Sequence, residues 1–414
     1  MCKESASLAE EGNKHRCLIN IEDLGHKYPS SLAGFQAQIL QQQRPEGKVL
    51  QSLLDSLTTF YRFWDPIPAN CMSHSVLEFV NGSLLEQAPN VNNMKLSSAA
   101  KRWPYFLRRK TGISAAFAFA IFPKELNIDM SVYIQAIEDT VLFIDIFNDV
   151  LSFYKEYLSG ERNNYVYNRA RVNEKSTMET LQSVVDDALA AHSRAKKILE
   201  HTEAFLPWKS FLDGYIIPRT RAPKGESERH NFRILSRSYQ HLLSLLGPYP
   251  GKLHVPAAMD FVNGCLLEQL PTIREMKLSS DAKSWPYSLR RKTGASGVYA
   301  FAIFPKVLKI DISIYIQVID DIVLFIDLLN DVLSFHKEYL AGERNNYVYN
   351  RAHVDHTSIP ETLQSIADDV LAAHARVTKV LQYTEGYLPW MRFVNGYIAF
   401  HVTLKRYRLG DLGF

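Results

Sequence analysis

The chain has 414 residues, with 47 Lys and Arg against 44 Asp and Glu, so its formal net charge is +3 at pH 7. Hydrophobic residues make up 46% and charged residues 22% of the sequence, which is typical of a folded soluble protein and excludes global disorder or a fibrous repeat. Because the charge is nearly balanced, the chain lacks the strong positive potential that attracts a nucleic-acid backbone. We therefore expect no nucleic-acid partner.

The first seventeen residues are rich in charge and contain no apolar stretch of the kind that a signal peptide needs. The longest apolar run, 113–123, is too short to span a bilayer and ends in a proline, so we expect no membrane span. The four cysteines show no metal-binding spacing and indicate free thiols in a reducing compartment. They are Cys2, Cys17, Cys71 and Cys265. The sequence therefore predicts a cytoplasmic protein.

An internal repeat organises the chain. Residues 79–215 match 261–397 without a gap at an offset of 182, and roughly two-thirds of the matched positions are identical. A period of this length indicates the duplication of a domain and not a solenoid. The predicted organisation is a helical lead-in (1–70), a first repeat that is structural (71–217), a linker (218–251), and a second repeat that carries the catalytic motifs (252–414).

The repeats are predicted to be helical. Residues 312–339 place apolar side chains at helical spacing without an internal Gly or Pro, and 363–381 form a second amphipathic pattern that ends near Gly386. No stretch shows the sustained alternation of a strand bounded by hairpin turns. The fold class predicted is all-α.

The 312–339 segment also carries a polar pattern. Asn330, Ser334 and Glu338 are spaced i, i+4, i+8, and at about 100° per residue they fall within an arc of roughly 80°. Oxygen ligands on one helix face suit a hard cation such as Mg²⁺. Lys337 lies only about 20° from Asn330 on the helical wheel and would suit a phosphate that shares this metal. The alternative interpretation is an amphipathic helix with a solvated polar face.

The motif at 330–338, Asn-Asp-x-x-Ser-x-x-x-Glu, resembles the second metal-binding motif of class I terpene cyclases, and its surroundings are most similar to fungal trichodiene synthase. Three further stretches match that family in the same order. They are 259–265 with Glu268 and Gln269, 289–292, and 405–409. The resemblance implies the all-α isoprenoid synthase fold, here with an internal duplication, and an enzyme that ionises a prenyl diphosphate.

The resemblance also implies roles for individual residues. Asn330, Ser334 and Glu338 would chelate Mg²⁺, and Arg290 would sense the diphosphate of the substrate. Further donors to the diphosphate would be Lys337, Arg406 and Tyr407. Mg²⁺, Arg and Lys suit this reaction because they stabilise the negative charge that grows on a departing diphosphate. A solvated basic turn is the alternative for the segment that contains Arg290.

The chain departs from the family in one respect, because it contains no Asp-Asp-x-x-Asp motif. Two substitutes are proposed. Asp327, about 60° from Asn330 on the same wheel, would add a carboxylate ligand, and Lys292 would contact the diphosphate and act in catalysis together with Arg290. In this respect the chain is most similar to the humulene synthases of tropolone sesquiterpenoid biosynthesis, which resemble divergent relatives of trichodiene synthase that lack this motif. This resemblance implies farnesyl diphosphate as the substrate, an eleven-membered humulene ring as the product, and a place in fungal secondary metabolism.

Other functions stay open at this point. The product could be another sesquiterpene skeleton such as one like trichodiene, and the chain could be a prenyl transferase or a non-catalytic helical scaffold that binds diphosphate. Besides farnesyl diphosphate, a second copy of the chain in a homodimer is a candidate partner. Aromatic residues that would line a cavity for a carbocation, with core packing as the alternative for each, are Phe261, Tyr299, Phe301, Phe304, Tyr315, Phe325 and Phe400.

The two repeats differ in their predicted donors to the diphosphate. The first repeat keeps five of the motif positions, which are Arg108, Asn148, Ser152, Lys155 and Glu156. The offset places Lys224 and Gly225 where the second repeat has Arg406 and Tyr407, and Pro218, which would end a helix, where it has Phe400. We therefore expect the second repeat to be the catalytic one.

Overall fold

The computed structural model describes residues 29–158, 160–216 and 254–412, and the side chains of most of them. The predicted linker (218–251) and the first part of the lead-in (1–28) lie outside the described residues, as do Pro218, Lys224 and Gly225. Across the described ranges the chain is helical with connecting turns and has no strand, so the all-α prediction is confirmed. None of the described helices combines the length and the apolar character that crossing a membrane requires.

The helices are numbered in chain order. Those of the first part are α1 (Pro29–Leu40), α2 (Lys48–Phe63), α3 (Pro66–Gln87), α4 (Pro89–Asn92), α5 (Trp103–Thr111), α6 (Ser114–Ala120), α7 (Met130–Leu158), α8 (Tyr165–Asn173), α9 (Thr177–Leu199) and α10 (Phe205–Ile216). Those of the second part are α11 (His254–Gln269), α12 (Pro271–Arg274), α13 (Trp285–Thr293), α14 (Ser296–Ala302), α15 (Ile312–Tyr315), α16 (Ile319–Leu340), α17 (Tyr347–Asp355), α18 (Ile359–Leu381) and α19 (Tyr387–Thr403). Short 3-10 turns lie at Lys124–Leu126, Lys306–Leu308, Ile316–Val318, Lys405–Tyr407 and Leu409–Leu412.

The chain forms two compact units that do not coincide with the sequence repeats. Unit 1 comprises residues 1–88, 107–148 and 186–259, and unit 2 comprises 89–106, 149–185 and 260–414. Unit 2 therefore contains residues 260–414 of the second repeat together with two segments of the first. The predicted division at 70, 217 and 251 follows the sequence repeat and not the packing, and it stays a prediction.

The core of unit 1 is built around α3. This helix begins with Pro66, which is compatible with a first helical turn because that position needs no N–H donor. Most of its side chains from Pro68 to Leu85 are buried, including polar ones such as Ser73 and Asn81, as expected for a helix that is covered on several sides. Helices α1, α2 and α6 pack against α3, and Phe35, Phe60 and Trp64 are among the largest fully buried side chains there.

The core of unit 2 is built around α16. Every residue from Ile319 to Leu328 is buried, and α14 and α18 pack against this half of the helix. Beyond Leu328 the side chains of α16 become partly exposed, except that of Ser334. The same helix therefore anchors its first half in the core and presents its second half, with the predicted motif, at the edge of the unit.

The predicted continuous helix over 312–339 is interrupted in the structure. Helix α15 ends at Tyr315, a 3-10 turn follows at Ile316–Val318, and α16 begins at Ile319. The matching segment of the first repeat is the single helix α7. The second repeat has Ile312 and Val318 where the first has Met and Ala, and β-branched side chains lower helix propensity. The predicted helix over 363–381 is confirmed as α18, which begins with a capping box between Ser358 and Glu361.

Each unit contains a cluster of a Phe, a His and a Trp ring. In unit 1 the ring of His192 lies 5.4 Å from Phe143 and 5.2 Å from Trp208, measured between ring centroids. In unit 2 the ring of His374 lies 5.9 Å from Phe325 and 5.7 Å from Trp390. Burial lowers the pKa of both histidines, because a charged imidazolium loses hydration among aromatic rings.

These histidines should make the protein less stable in mild acid. Below about pH 6.5 the unfolded chain binds protons that His192 and His374 in the folded chain do not bind, so the free energy of unfolding falls as the pH falls. We expect urea unfolding between about pH 7.5 and 5.5 to show a weaker pH dependence in the His192→Phe/His374→Phe variant than in the wild type. An unchanged pH dependence would contradict this assignment.

Candidate active site

The second half of α16 brings two of the four predicted metal ligands into contact. The hydroxyl of Ser334 donates a hydrogen bond to Oε1 of Glu338 at 2.5 Å. Asn330, one turn earlier, is half-buried and points its amide at other partners, described below. The three oxygen-bearing side chains thus follow one face of the helix, as the i, i+4, i+8 spacing predicts.

Asn346, which the sequence reasoning missed, fixes the orientation of Glu338. Its side-chain oxygen accepts the backbone N–H of Tyr349 and so caps α17, while its Nδ2 donates to Oε2 of Glu338 at 3.0 Å. The N-cap preference of Asn was the available signal, because Asn346 precedes the apolar residues of α17. The cap therefore ties the start of one helix to a candidate ligand on another.

Arg290, at the end of α13, lies against the predicted motif. Its Nε donates to both carboxylate oxygens of Asp331 at 2.7 and 2.8 Å, and its Nη2 donates to the backbone oxygen of Asp327 at 3.0 Å and to Oδ1 of Asn330 at 3.3 Å. Nη1 also lies 3.2 Å from Oδ1 of Asp327. Asp331, the second residue of the motif, was missed as a partner of Arg290, although its place beside Asn330 was visible.

The charges of this cluster perturb each other strongly. Burial raises the pKa of Asp331 to about 7, and the neighbouring guanidinium offsets this effect only in part. Burial likewise raises the pKa of Asp327, against the attraction of Arg290. For Arg290 burial alone would lower the pKa, but the carboxylates of Asp331 and Asp327 outweigh burial and raise it. The guanidinium therefore stays charged and compensates the buried carboxyl group of Asp327 and the largely buried one of Asp331.

Gly294 makes this cluster sterically feasible. A Cβ atom built on Gly294 would lie 2.3 Å from Oδ1 of Asp327 and 2.5 Å from Nη1 of Arg290, closer than real contacts allow. In the first repeat a Cβ on Gly112 would meet Arg108 and Asp145 in the same way, at 2.5 Å each. A glycine at this position lets the arginine reach the aspartate in both repeats.

We expect Gly294→Ala to displace Arg290 and Gly112→Ala to displace Arg108. Overpacking of this kind should lower the free energy of unfolding by about 1–3 kcal/mol in each variant. If the second repeat holds the working site, only Gly294→Ala should also reduce turnover of a prenyl diphosphate, measured per folded protein. Equal loss of turnover in both variants would contradict that asymmetry.

The other predicted cations are mostly paired with carboxylates. Nζ of Lys292 lies 2.7 Å from Oδ1 of Asp260, and Nζ of Lys337 lies 3.5 Å from Oε1 of Glu338. Arg406 is exposed and forms no ion pair with any residue that the structure describes, while the 3-10 turn that contains it packs against α16. A bound diphosphate would therefore have to exchange places with Asp260 at Lys292 and with Asp331 at Arg290.

His401 on α19 is a further group that the sequence reasoning missed. It is 1% exposed, its Nδ1 lies 2.8 Å from the backbone oxygen of Tyr397, and its Nε2 lies 3.2 Å from Nδ2 of Asn330. Its ring lies between those of Tyr397 and Tyr407, at centroid distances of 4.5 and 4.4 Å. The predicted donor Tyr407 is therefore buried, and His401 contacts both Tyr407 and the candidate ligand Asn330.

The donor set fits a hard cation that is shared with a substrate. Within the described ranges no three His, Cys, Asp or Glu side chains form a group that could hold a metal by themselves. Asn330, Ser334 and Glu338 offer an amide, a hydroxyl and a carboxylate oxygen, which suit Mg²⁺ when water and phosphate oxygens complete its coordination. Asp327, the fourth predicted ligand, is fully buried against Arg290. Its role as a ligand stays a prediction.

The matching residues of the first repeat show related contacts. In unit 1, Nη2 of Arg108 donates to the backbone oxygen of Asp145 at 3.0 Å and lies 3.5 Å from Oδ1 of Asn148. In unit 2, Nδ2 of Asn164 donates to Oε2 of Glu156 at 2.8 Å, as Asn346 does to Glu338. These contacts of the arginine and of the capping asparagine are therefore repeated along with the sequence.

The sequence of the chain matches a known protein family. The profile of the trichodiene synthase (TRI5) family matches the chain twice, over residues 14–221 and 220–412. The chain is 33% identical over 201 residues to terpene synthase BipA of Cochliobolus sativus, which is 48% of this chain and 61% of the relative. It is 36% identical over 177 residues to monoterpene synthase 25 of Postia placenta, covering 43% of this chain and 51% of the relative.

A third relative is an (E)-beta farnesene synthase of Metarhizium brunneum, 33% identical over 183 residues, which is 42% of this chain and 53% of the relative. The matched part of the chain thus spans about half to three-fifths of the length of these curated relatives. The family profile, in contrast, covers nearly the whole chain in two successive matches. The chain therefore belongs to the trichodiene synthase family.

Proposed function

We propose that this protein is a Mg²⁺-dependent sesquiterpene cyclase. It would ionise farnesyl diphosphate, close the chain to a humulene-type eleven-membered ring, and release diphosphate. The observation that carries the proposal is the cluster in unit 2 that joins Arg290 to Asn330, one turn from the hydrogen-bonded pair of Ser334 and Glu338. The relatives named above include a farnesene synthase, which supports a prenyl diphosphate as the class of substrate.

The residues would divide the work as follows. Asn330, Ser334 and Glu338 would hold Mg²⁺, which when bound supplies positive charge to the departing diphosphate. Arg290 would donate to the diphosphate after releasing Asp331, and a charged guanidinium would stabilise the oxygen that gains charge as the C–O bond breaks. Lys337 and Arg406 would add donors at the partly exposed end of α16, where the structure leaves them accessible.

Lys292 and Asp327 would act differently from those residues. Lys292 on α13 forms an ion pair with Asp260 on α11, so its proposed contact with diphosphate requires that ion pair to break. A Cβ on Gly264 would lie 2.4 Å from the backbone of Lys292, so a glycine is what lets these two helices approach so closely. Asp327 would first have to give up its contact with Arg290 before it could serve as a ligand.

Only some of the predicted aromatic residues lie where they could contact a substrate in a cavity. Phe304 and Tyr315 stack at a centroid distance of 4.2 Å, and Phe325 packs against Trp390 in the core of unit 2. Tyr299 and Phe400 are exposed, by 53% and 52%. Phe325 is therefore best explained by core packing, whereas the exposed rings remain candidates for contact with an isoprenoid chain.

Incubation with farnesyl diphosphate and Mg²⁺, followed by headspace gas chromatography, tests this proposal. A hydrocarbon with the humulene skeleton supports the full proposal, and another sesquiterpene supports the cyclase but not its product. A longer prenyl diphosphate would indicate a transferase, and no turnover by folded protein would indicate a diphosphate-binding scaffold. Size-exclusion chromatography of the same sample tests whether the chain forms the candidate homodimer.

A further inference from the structure

The amide of Asn330 presents two different ends, and only one of them can bind a cation. An amide oxygen accepts and can coordinate Mg²⁺, whereas the NH₂ group can only donate. A rotation of the amide by 180° would exchange these ends at little steric cost. A site that uses Asn as a metal ligand therefore needs neighbours that select one orientation.

The hydrogen bonds of His401 define such a neighbour. A backbone carbonyl can only accept, so Nδ1 of His401, 2.8 Å from the oxygen of Tyr397, must carry the proton. In the neutral ring Nε2 then has a lone pair and accepts from Nδ2 of Asn330, at 3.2 Å. On the other side of the amide, Oδ1 of Asn330 accepts from Nη2 of Arg290 at 3.3 Å.

We propose that His401 is a positioning residue that orients the metal ligand Asn330. This inference rests on the proposed function, because it assumes that Asn330 binds a cation. While Nδ2 of Asn330 donates to His401, its Oδ1 is left for Arg290 and the cation. If the amide were rotated, Oδ1 of Asn330 would face Nε2 of His401, and both atoms are acceptors. His401 is buried between the rings of Tyr397 and Tyr407, so its own orientation is fixed by packing.

The sequence repeat makes His401 specific to one half of the chain. At the offset of 182 its counterpart is Arg219, which cannot accept a hydrogen bond. Asn148, the counterpart of Asn330, therefore has no histidine at the matching position. A positioning role for His401 would orient Asn330 in the second repeat, and no histidine at the matching position could orient Asn148 in the same way.

Two substitutions separate orientation from packing. His401→Phe keeps a ring between Tyr397 and Tyr407 but removes the acceptor. His401→Gln places an amide oxygen near the position of Nε2 and can restore the acceptor. His374→Phe is the matched control, because it removes a partly buried histidine that packs among aromatic rings of the same unit and has no contact with Asn330.

The readout is thermal unfolding over a series of Mg²⁺ concentrations at a fixed concentration of inorganic pyrophosphate. The Mg²⁺ concentration that gives half of the pyrophosphate-induced rise in Tm should increase about 10- to 100-fold in His401→Phe, the usual effect of losing a partner of a metal ligand. It should stay close to the wild-type value in His401→Gln and His374→Phe. The KM for Mg²⁺ in turnover should shift in parallel, and the Tm without metal reports any loss of packing.

Two results would overturn the inference while leaving the cyclase proposal intact. One is an unchanged Mg²⁺ midpoint in His401→Phe. The other is an equal shift in all three variants that follows their metal-free Tm. If the wild-type protein itself shows no Mg²⁺-dependent stabilisation by pyrophosphate, the proposed metal site fails, and the role of His401 fails with it.

Discussion

Replacing Asn330 and Glu338 together by alanine should abolish hydrocarbon formation, whereas replacing Asn148 and Glu156 together should leave most of it. Each double substitution removes an amide and a carboxylate from the same kind of helix, so both should cost similar stability. Loss of two of three ligands should reduce turnover at least about a hundredfold if the second repeat holds the cation. The measurement is product per folded protein at saturating Mg²⁺.

The matched pair is informative because the local sequences are nearly identical. What differs lies outside the motif. At the offset of 182, Lys224, Gly225 and Arg219 take the places of Arg406, Tyr407 and His401. A diphosphate that contacts fewer positively charged or hydrogen-bonding donors leaves more slowly, because less of its growing negative charge is stabilised. For this reason we expect one working site. Equal losses in both double variants would show two working sites and remove the assignment of the second repeat as the sole catalyst.

Arg290→Met should reduce both stability and turnover, and the two effects should be separable. Loss of the guanidinium leaves the buried carboxyl groups of Asp327 and Asp331 without their compensating charge, which typically costs about 3–5 kcal/mol. Turnover should fall by about 10²–10³-fold beyond any loss of folded protein, the range found when one donor to a developing anion is removed. Urea unfolding and product formation per folded protein measure the two effects.

A neutralised triple variant provides the control. Arg290→Met with Asp327→Asn and Asp331→Asn removes the charge on both sides, so most of the lost stability should return. Turnover should stay low, because no donor for the diphosphate is restored. Recovery of turnover together with stability would show that Arg290 serves only the fold. Arg108→Met, in the first repeat, should lower stability without a comparable effect on turnover.

Much of the fold and part of the site follow from local sequence. Helical periodicity is a property of the chain itself, so the all-α class and the helix at 363–381 were predictable without coordinates. The spacing of Asn330, Ser334 and Glu338 places them on one face of any helix that contains them. The duplication, visible as repeated sequence, likewise needs no structure.

Contacts between residues distant in the chain could be decided only by packing. Arg290 and Asp327 can come together because Gly294 leaves room for both side chains. His401 reaches Asn330 because α19 packs against α16. The interruption at Ile316–Val318 likewise does not occur in the matching segment of the first repeat, despite similar periodicity. A hydrogen bond between two helices depends on their relative position, which no pattern within either helix specifies.

Residue type and helical spacing are local properties, so the sequence alone predicts which side chains are candidates for the chemistry. The fold sets which of these candidates already have partners. It places Lys292 with Asp260, Glu338 with Ser334 and Asn346, and Asp327 in the core. It also draws segments 89–106 and 149–185 of the first repeat into unit 2. Within unit 2, Nε of Arg102 from the first repeat donates to Oδ2 of Asp320 on α16 at 2.6 Å. Burial and ion pairing depend on which residues are neighbours in space, so a repeat boundary in the sequence does not limit them.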